Sequence, residues 1–169
     1  MLFRSIPYAI VGGMALNEYG YRRVTVDVDV LLTSESLRRF KDAWLGRGYA
    51  EKFPGSRGIR DTELNVTIDV LLAGGYPGDG LPKPVKFPDP ADVAIREGGL
   101  SLLPLARLVE LKLASGISSP QRMKDLTDVL ELIKHAKLSR TLSDELDPYV
   151  RGKYLELWDT AQVPDPMAE

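Results

Sequence analysis

Apolar and polar residues alternate most clearly between Arg22 and Leu32, with Val24, Val26, Val28 and Val30 on every second position. That period of two predicts a strand with valines on one face and Arg23, Thr25, Asp27 and Asp29 on the other. A shorter apolar run, Ile6 to Val11, stops at Gly12-Gly13 and predicts a buried strand, a tight turn and a short helix from Met14 to Tyr19 closed by Gly20. Ser34 is placed to cap a helix from Glu35 to Leu45, ended by Gly46 and Gly48. Further strands are expected at Tyr49 to Phe53, Gly58 to Leu64 and Val66 to Leu72. The stretch from Gly74 to Pro90, rich in proline and glycine, reads as loop with room for a short strand at Val85 to Phe87.

Beyond it the period lengthens. Leu102 to Ala114, Pro120 to Lys137 and Pro148 to Thr160 carry helical spacing, and Ser119-Pro120 makes a good start for the second. The pattern predicts an α+β chain, a small mixed β-sheet with helices packed on it and a C-terminal helical segment. Residues 1–90 are expected to form the sheet core with its site, and residues 91–169 a helical half completing the same domain.

Composition narrows the chemistry. Within 169 residues there is no cysteine and one histidine, His135, placed as a surface residue near a helix end. Thiolate catalysis and cysteine-type zinc sites are excluded, so proton transfer and metal binding fall to carboxylates. The formal charge of −2 speaks against a broad non-specific nucleic-acid binder. No apolar run approaches the roughly 20 residues that span a bilayer, and Met1 to Ile6 is too short for a signal peptide. A cytoplasmic protein with no membrane association is expected.

Asp27 and Asp29 share one strand face, about 6–7 Å apart along the chain. In Asn65-Val-Thr-Ile-Asp69-Val the same alternation sets Asp69 opposite Val66, Ile68 and Val70. An aspartate within an apolar run is costly to bury unless paired or bound to metal. Three such carboxylates make an all-oxygen set suited to Mg²⁺ or Mn²⁺. A lone D-x-D pair is more often a solvated face with arginine partners; the Gly12-Gly13 turn upstream, able to cradle a phosphate on backbone N–H groups, shifts the balance.

Gly12-Gly13, Asp27-Val-Asp29 and Asp69 in this order resemble the nucleotidyltransferase superfamily related to DNA polymerase β. The longer string Ala9-Ile-Val-Gly-Gly-Met-Ala-Leu, Tyr19-Gly and Arg23-Val-Thr-Val-Asp-Val-Asp is similar to the AbiEii-type nucleotidyltransferases, many of them toxins of toxin–antitoxin pairs. Leu108-Val-Glu-Leu-Lys112 and Arg122-Met-Lys-Asp125-Leu-Thr-Asp128 resemble that family's later helices. The likeness runs over residues 6 to 133. It departs at Gly13, where the family often has serine, and in the helix before the first strand, which is absent or very short and would leave a sheet edge open to pairing.

The resemblance implies transfer of NMP from an NTP to a hydroxyl. Asp27, Asp29 and Asp69 would hold Mg²⁺ or Mn²⁺, and Asp69 would help deprotonate the acceptor. Gly12, Gly13, Lys112 and also Arg23 would bind phosphates. Lys112 falls in the middle of the apolar face of its helix, with Arg107 and Glu110 pointing away. Arg122 approaches phosphate or pairs with a carboxylate. Asp125 and Asp128, the latter well off the core face, take structural roles. Three functions stay open: a toxin-like enzyme acting on a tRNA or other RNA end or on a protein, with an antitoxin partner; an antibiotic-type small-molecule enzyme; and a non-catalytic nucleotide-binding module.

Overall fold

The computed structural model describes residues 6–167. The expectations about the first few residues, on a signal peptide and a leading helix, lie outside the described residues. Two compact units emerge. The first takes residues up to Asn17, Arg23–Gly75 and Phe87–Pro104; the second takes Glu18–Arg22, Tyr76–Lys86 and the chain from Leu105 onward.

The first unit holds a mixed seven-stranded sheet. Its strands are β1 (Ala9–Val11), β2 (Asp27–Leu32), β3 (Tyr49–Glu51), β4 (Ile59–Asp61), β5 (Val66–Leu72), β6 (Ile95–Glu97) and β7 (Leu100–Leu102). They lie in the order β3-β4-β5-β2-β1-β7-β6. The β2–β5 and β1–β7 pairs are parallel, and the others are antiparallel. With the helices α1 (Gly12–Glu18), α2 (Ser34–Trp44) and α3 (Pro90–Val93), this is the α+β arrangement expected from the pattern.

One face of the sheet is apolar because the alternation in β2 and β5 runs in phase. Val28, Val30 and Leu32 pack with Ile68, Val70 and Leu72 against Leu37, Phe40 and Trp44 of α2. Phe40 is fully buried, with Tyr49 edge-on to it at 5.2 Å between ring centres. The helix begins one residue earlier than expected: Thr33, not Ser34, is its N-cap, and its hydroxyl accepts the Ser36 N–H at 3.0 Å.

Two differences from the sequence pattern have physical causes. The strand expected from Arg22 begins only at Asp27, and Val24 and Val26 are 90% and 79% exposed. The first β2 residue with a neighbouring strand is Asp27, opposite Thr67, so the alternation upstream has nothing to pair with. The sheet also continues past residue 90 through β6 and β7, joined by Gly98-Gly99 with φ of 55° and 82°. Two adjacent residues at positive φ make the tight hairpin turn whose twist matches the strands.

The second unit is built on α4 (Leu105–Ser118), α5 (Met123–Ala136) and α6 (Pro148–Ala161). Close packing of α4 on α5 depends on Gly116, where an added Cβ would lie 2.4 Å from Leu126 Cγ. Burial runs all round α4 from Leu108 to Gly116, so the expectation that Glu110 points away is corrected. Glu110 is buried, accepting from Arg107 at 2.5 Å and from the Asp147 N–H at 2.6 Å. Tyr154 is fully buried and donates to the Ser139 carbonyl at 2.8 Å. His135 is exposed, as expected, stacked on Tyr21 and 3.3 Å from Glu131. No helix among the described residues is long and apolar enough to cross a membrane.

Candidate active site

The parallel pairing of β2 with β5 sets Asp29 directly opposite Asp69, with Asp27 one pleat away opposite Thr67. Because the valines and isoleucines of both strands face α2, all three carboxylates stand on the other side of the sheet. The antiparallel pairing of β1 with β2 brings Val11 opposite Asp29, so the turn into α1 begins over that carboxylate.

Gly12 sits at φ 63°, a backbone conformation that side chains strain to reach. A Cβ there would fall 1.9 Å from Asp29 Oδ2. The glycine is therefore required twice, by the turn and by the acid beside it. At Gly13 an added Cβ would lie 3.0 Å from both Cβ and Oγ1 of Thr25 and 3.5 Å from Arg23 Nη2. A side chain at position 13 would sit tightly against Thr25, which would have to give by a few tenths of an ångström. Arg23 is thus carried to the turn, its backbone N–H donating to Asn17 Oδ1 at 2.8 Å. Thr25 donates to the Asp27 carbonyl at 3.1 Å, fixing the approach to β2.

One site residue escaped the sequence pattern. Lys52, just after β3, donates to Asp69 Oδ1 at 2.8 Å. Its ammonium is held above the usual lysine range, first by that hydrogen bond and then by the charge of Asp69, against an opposing effect of desolvation, with the charge of Asp27 adding least. No motif marks it, since only the β3-β4-β5 order brings residue 52 near residue 69. Among the described residues, no three carboxylate or imidazole groups converge as a ligand cluster. The acids share a face, and Asp69 is turned to the lysine. The donor chemistry nonetheless suits a hard divalent cation: the three side chains are carboxylates on adjacent strands, one beside a glycine whose missing side chain leaves its oxygen room.

The second unit gathers the residues expected on its helices. Lys112 is buried, with Nζ 3.1 Å from Asp125 Oδ1 and 2.8 Å from Asp128 Oδ2. Asp125 also accepts from Ser115 Oγ at 2.6 Å and from Arg122 Nε at 2.8 Å. Burial pushes the Asp125 carboxyl up, but Lys112, Ser115 and Arg122 together bring it below its usual range. Asp128 is buried at 2% exposure, correcting its expected place well off the core face. Arg122, its side chain 57% exposed, pairs with a carboxylate, that of Asp125.

No family model matches the chain, and no curated protein does. Solved structures do. A candidate nucleotidyltransferase from H. pylori matches with a TM-score of 0.50 and 18% identity over 95% of this chain and 87% of its own. JHP933 from Helicobacter pylori matches with a TM-score of 0.50 and 18% identity, covering 95% of this chain and 84% of that one. ANT(2")-Ia, solved in complex with adenylyl-2"-tobramycin, matches with a TM-score of 0.54 and 11% identity over 90% and 89% of the two chains. At these identities the likeness is one of fold, shared with a candidate nucleotidyltransferase and with ANT(2")-Ia.

Proposed function

We propose that the chain is a metal-dependent nucleotidyltransferase that moves NMP from an NTP onto a hydroxyl acceptor. The observation that carries this reading is the register placing Asp29 opposite Asp69, with the Gly12 turn packed against the Asp29 carboxylate. Asp27, Asp29 and Asp69 would hold Mg²⁺ or Mn²⁺, which when bound offsets charge on the triphosphate. The acceptor oxygen attacks the α-phosphorus, the bond to pyrophosphate breaks, and the acceptor proton passes to the Asp69 carboxylate. Arg23, whose Nη2 lies beside Gly13, would meet phosphate oxygens at that turn. Lys112 is left outside that set because its charge is answered by Asp125 and Asp128.

The acceptor divides the reading. The AbiEii-like motifs favour an RNA end or a protein, in a toxin with an antitoxin partner. The ANT(2")-Ia neighbour, solved with adenylyl-2"-tobramycin, favours a small-molecule hydroxyl. Incubation with each α-labelled NTP, Mg²⁺ and separate RNA, protein and small-molecule acceptor pools decides between them. Asp69→Ala is expected to lower transfer about 10²–10⁴-fold while leaving the fold intact. Full activity in that variant removes Asp69 from the mechanism, and no transfer to any pool by the wild type favours a non-catalytic nucleotide-binding module.

A further inference from the structure

We propose that Lys52 is a built-in counter-ion of the aspartate face, a cation that occupies Asp69 and gives way when a divalent metal binds. The proposal rests on the metal-binding reading of that face given above. Carboxylates at positions 27, 29 and 69 on adjacent strands repel one another unless a positive charge stands among them. Lys52 supplies that charge at 2.8 Å from Asp69 Oδ1, with its side chain still 38% exposed. A fixed monovalent cation and an incoming divalent one then compete for the same oxygen.

The lysine is directed there by its surroundings. An added Cβ at Gly58 would lie 2.3 Å from Lys52 Cδ and 3.2 Å from its Cγ, so the lysine stem lies in the space the glycine leaves. Gly58 is not among the residues at positive φ, so room for that stem, not backbone freedom, is what asks for glycine here. The loop between β3 and β4 is tied down as well. Lys52 N–H donates to the Gly58 carbonyl at 3.1 Å, Gly58 N–H to Ser56 Oγ at 3.0 Å, and Gly55 N–H to Glu51 Oε2 at 2.9 Å. Lys41 clamps it, donating to Glu51 at 2.6 Å and to the Ser56 carbonyl at 2.5 Å. A surface lysine with an ordinary solvated role needs none of this.

Direct Mn²⁺ binding, measured by titration calorimetry and by loss of the free-ion spin-resonance signal, tests the proposal on wild type, Lys52→Met and Gly58→Ala. Lys52→Met is expected to bind Mn²⁺ about threefold or more tightly at low ionic strength. The gain should shrink as salt screens the competing charge. Gly58→Ala is expected to act in the same direction with the lysine still present, because the new methyl displaces its stem. Equal Mn²⁺ affinity in wild type and Lys52→Met overturns the proposal and leaves the metal-binding reading standing. Equal Mn²⁺ affinity with weaker NTP binding also overturns it, and makes Lys52 a phosphate ligand. Absence of Mn²⁺ binding in every protein overturns both, whereas binding that emerges only in the variants supports the proposal. Should Gly58→Ala misfold by circular dichroism, Lys52→Met alone decides.

Discussion

Replacing Lys112 by methionine tests the charge balance of the helical unit. In the wild type one buried ammonium faces two buried carboxylates, and Arg122 completes the neutral set from the surface side. Methionine fills most of the lysine stem's volume, so the loss is mainly of charge. Asp125 then keeps Ser115 and Arg122, while Asp128 loses its lysine partner and both carboxylates face each other across the vacated position. Removing one member of a buried ion pair costs about 3–5 kcal/mol. With a urea dependence of roughly 2 kcal/mol per molar, the unfolding midpoint should fall by about 1.5–2.5 M.

The pH dependence gives a second readout. Asp125 has a depressed carboxyl, so its contribution is present above the ordinary carboxylate value and is lost as pH falls through the lowered folded one. Without Lys112 that depression is relieved, and the gap between wild type and variant should narrow as pH falls below about 4. The triple variant Lys112→Met, Asp125→Asn, Asp128→Asn removes the stranded charges and should recover most of the midpoint. A single-variant midpoint within about 0.3 M of wild type, combined with weaker NTP binding, would refute the structural assignment and return Lys112 to the phosphates.

Gly12→Ala forces a side chain onto φ 63° and into Asp29, and should cost about 1–3 kcal/mol in strain. Because the clash falls on Asp29 Oδ2, its transfer rate should drop as well, and a wild-type rate in a destabilised protein would show that the turn does not position that acid. Tyr154, pushed up to about 12 by burial, should deprotonate after the other tyrosines in an alkaline ultraviolet titration. Its raised value means the stability it contributes is intact below about 10 and is lost as pH climbs towards 12. Tyr154→Phe should abolish that late component and cost about 1 kcal/mol; a late component that survives would assign it elsewhere.

Much of this was legible in the chain. The bounds of β5 and the polar placement of Asp69 followed from alternation alone, because β5 is paired throughout, with β4 over Val66 to Ile68 and with β2 from Thr67 to Leu72. Alternation misled at Val24 and Val26, where the pattern of a strand occurs without a strand alongside. The hairpin of β6 and β7 carried a readable sign in Gly98-Gly99, though Ile95-Arg-Glu97 and Leu100-Ser-Leu102 are too short for periodicity to declare. Helical spacing misplaced Glu110 because it assumes one solvated face while α4 is buried all round, and it misplaced Asp128 because the buried Lys112 of the neighbouring helix gives that carboxylate a partner inside. Lys52 was beyond reach, since its partner is set by strand order.

The register of β2 against β5 has a consequence for how the chain tolerates change. A slip of one residue would bring Val28 or Val30 opposite Asp69 and turn Val28, Val30 and Leu32 away from α2. A slip of two would keep the faces and bring Asp27 opposite Asp69 instead. The spacing of the acids thus has the period of the pleat itself. Parity, more than any single contact, couples oil on one side of these strands to acid on the other, so the sheet cannot fail at its core without also misplacing its chemistry.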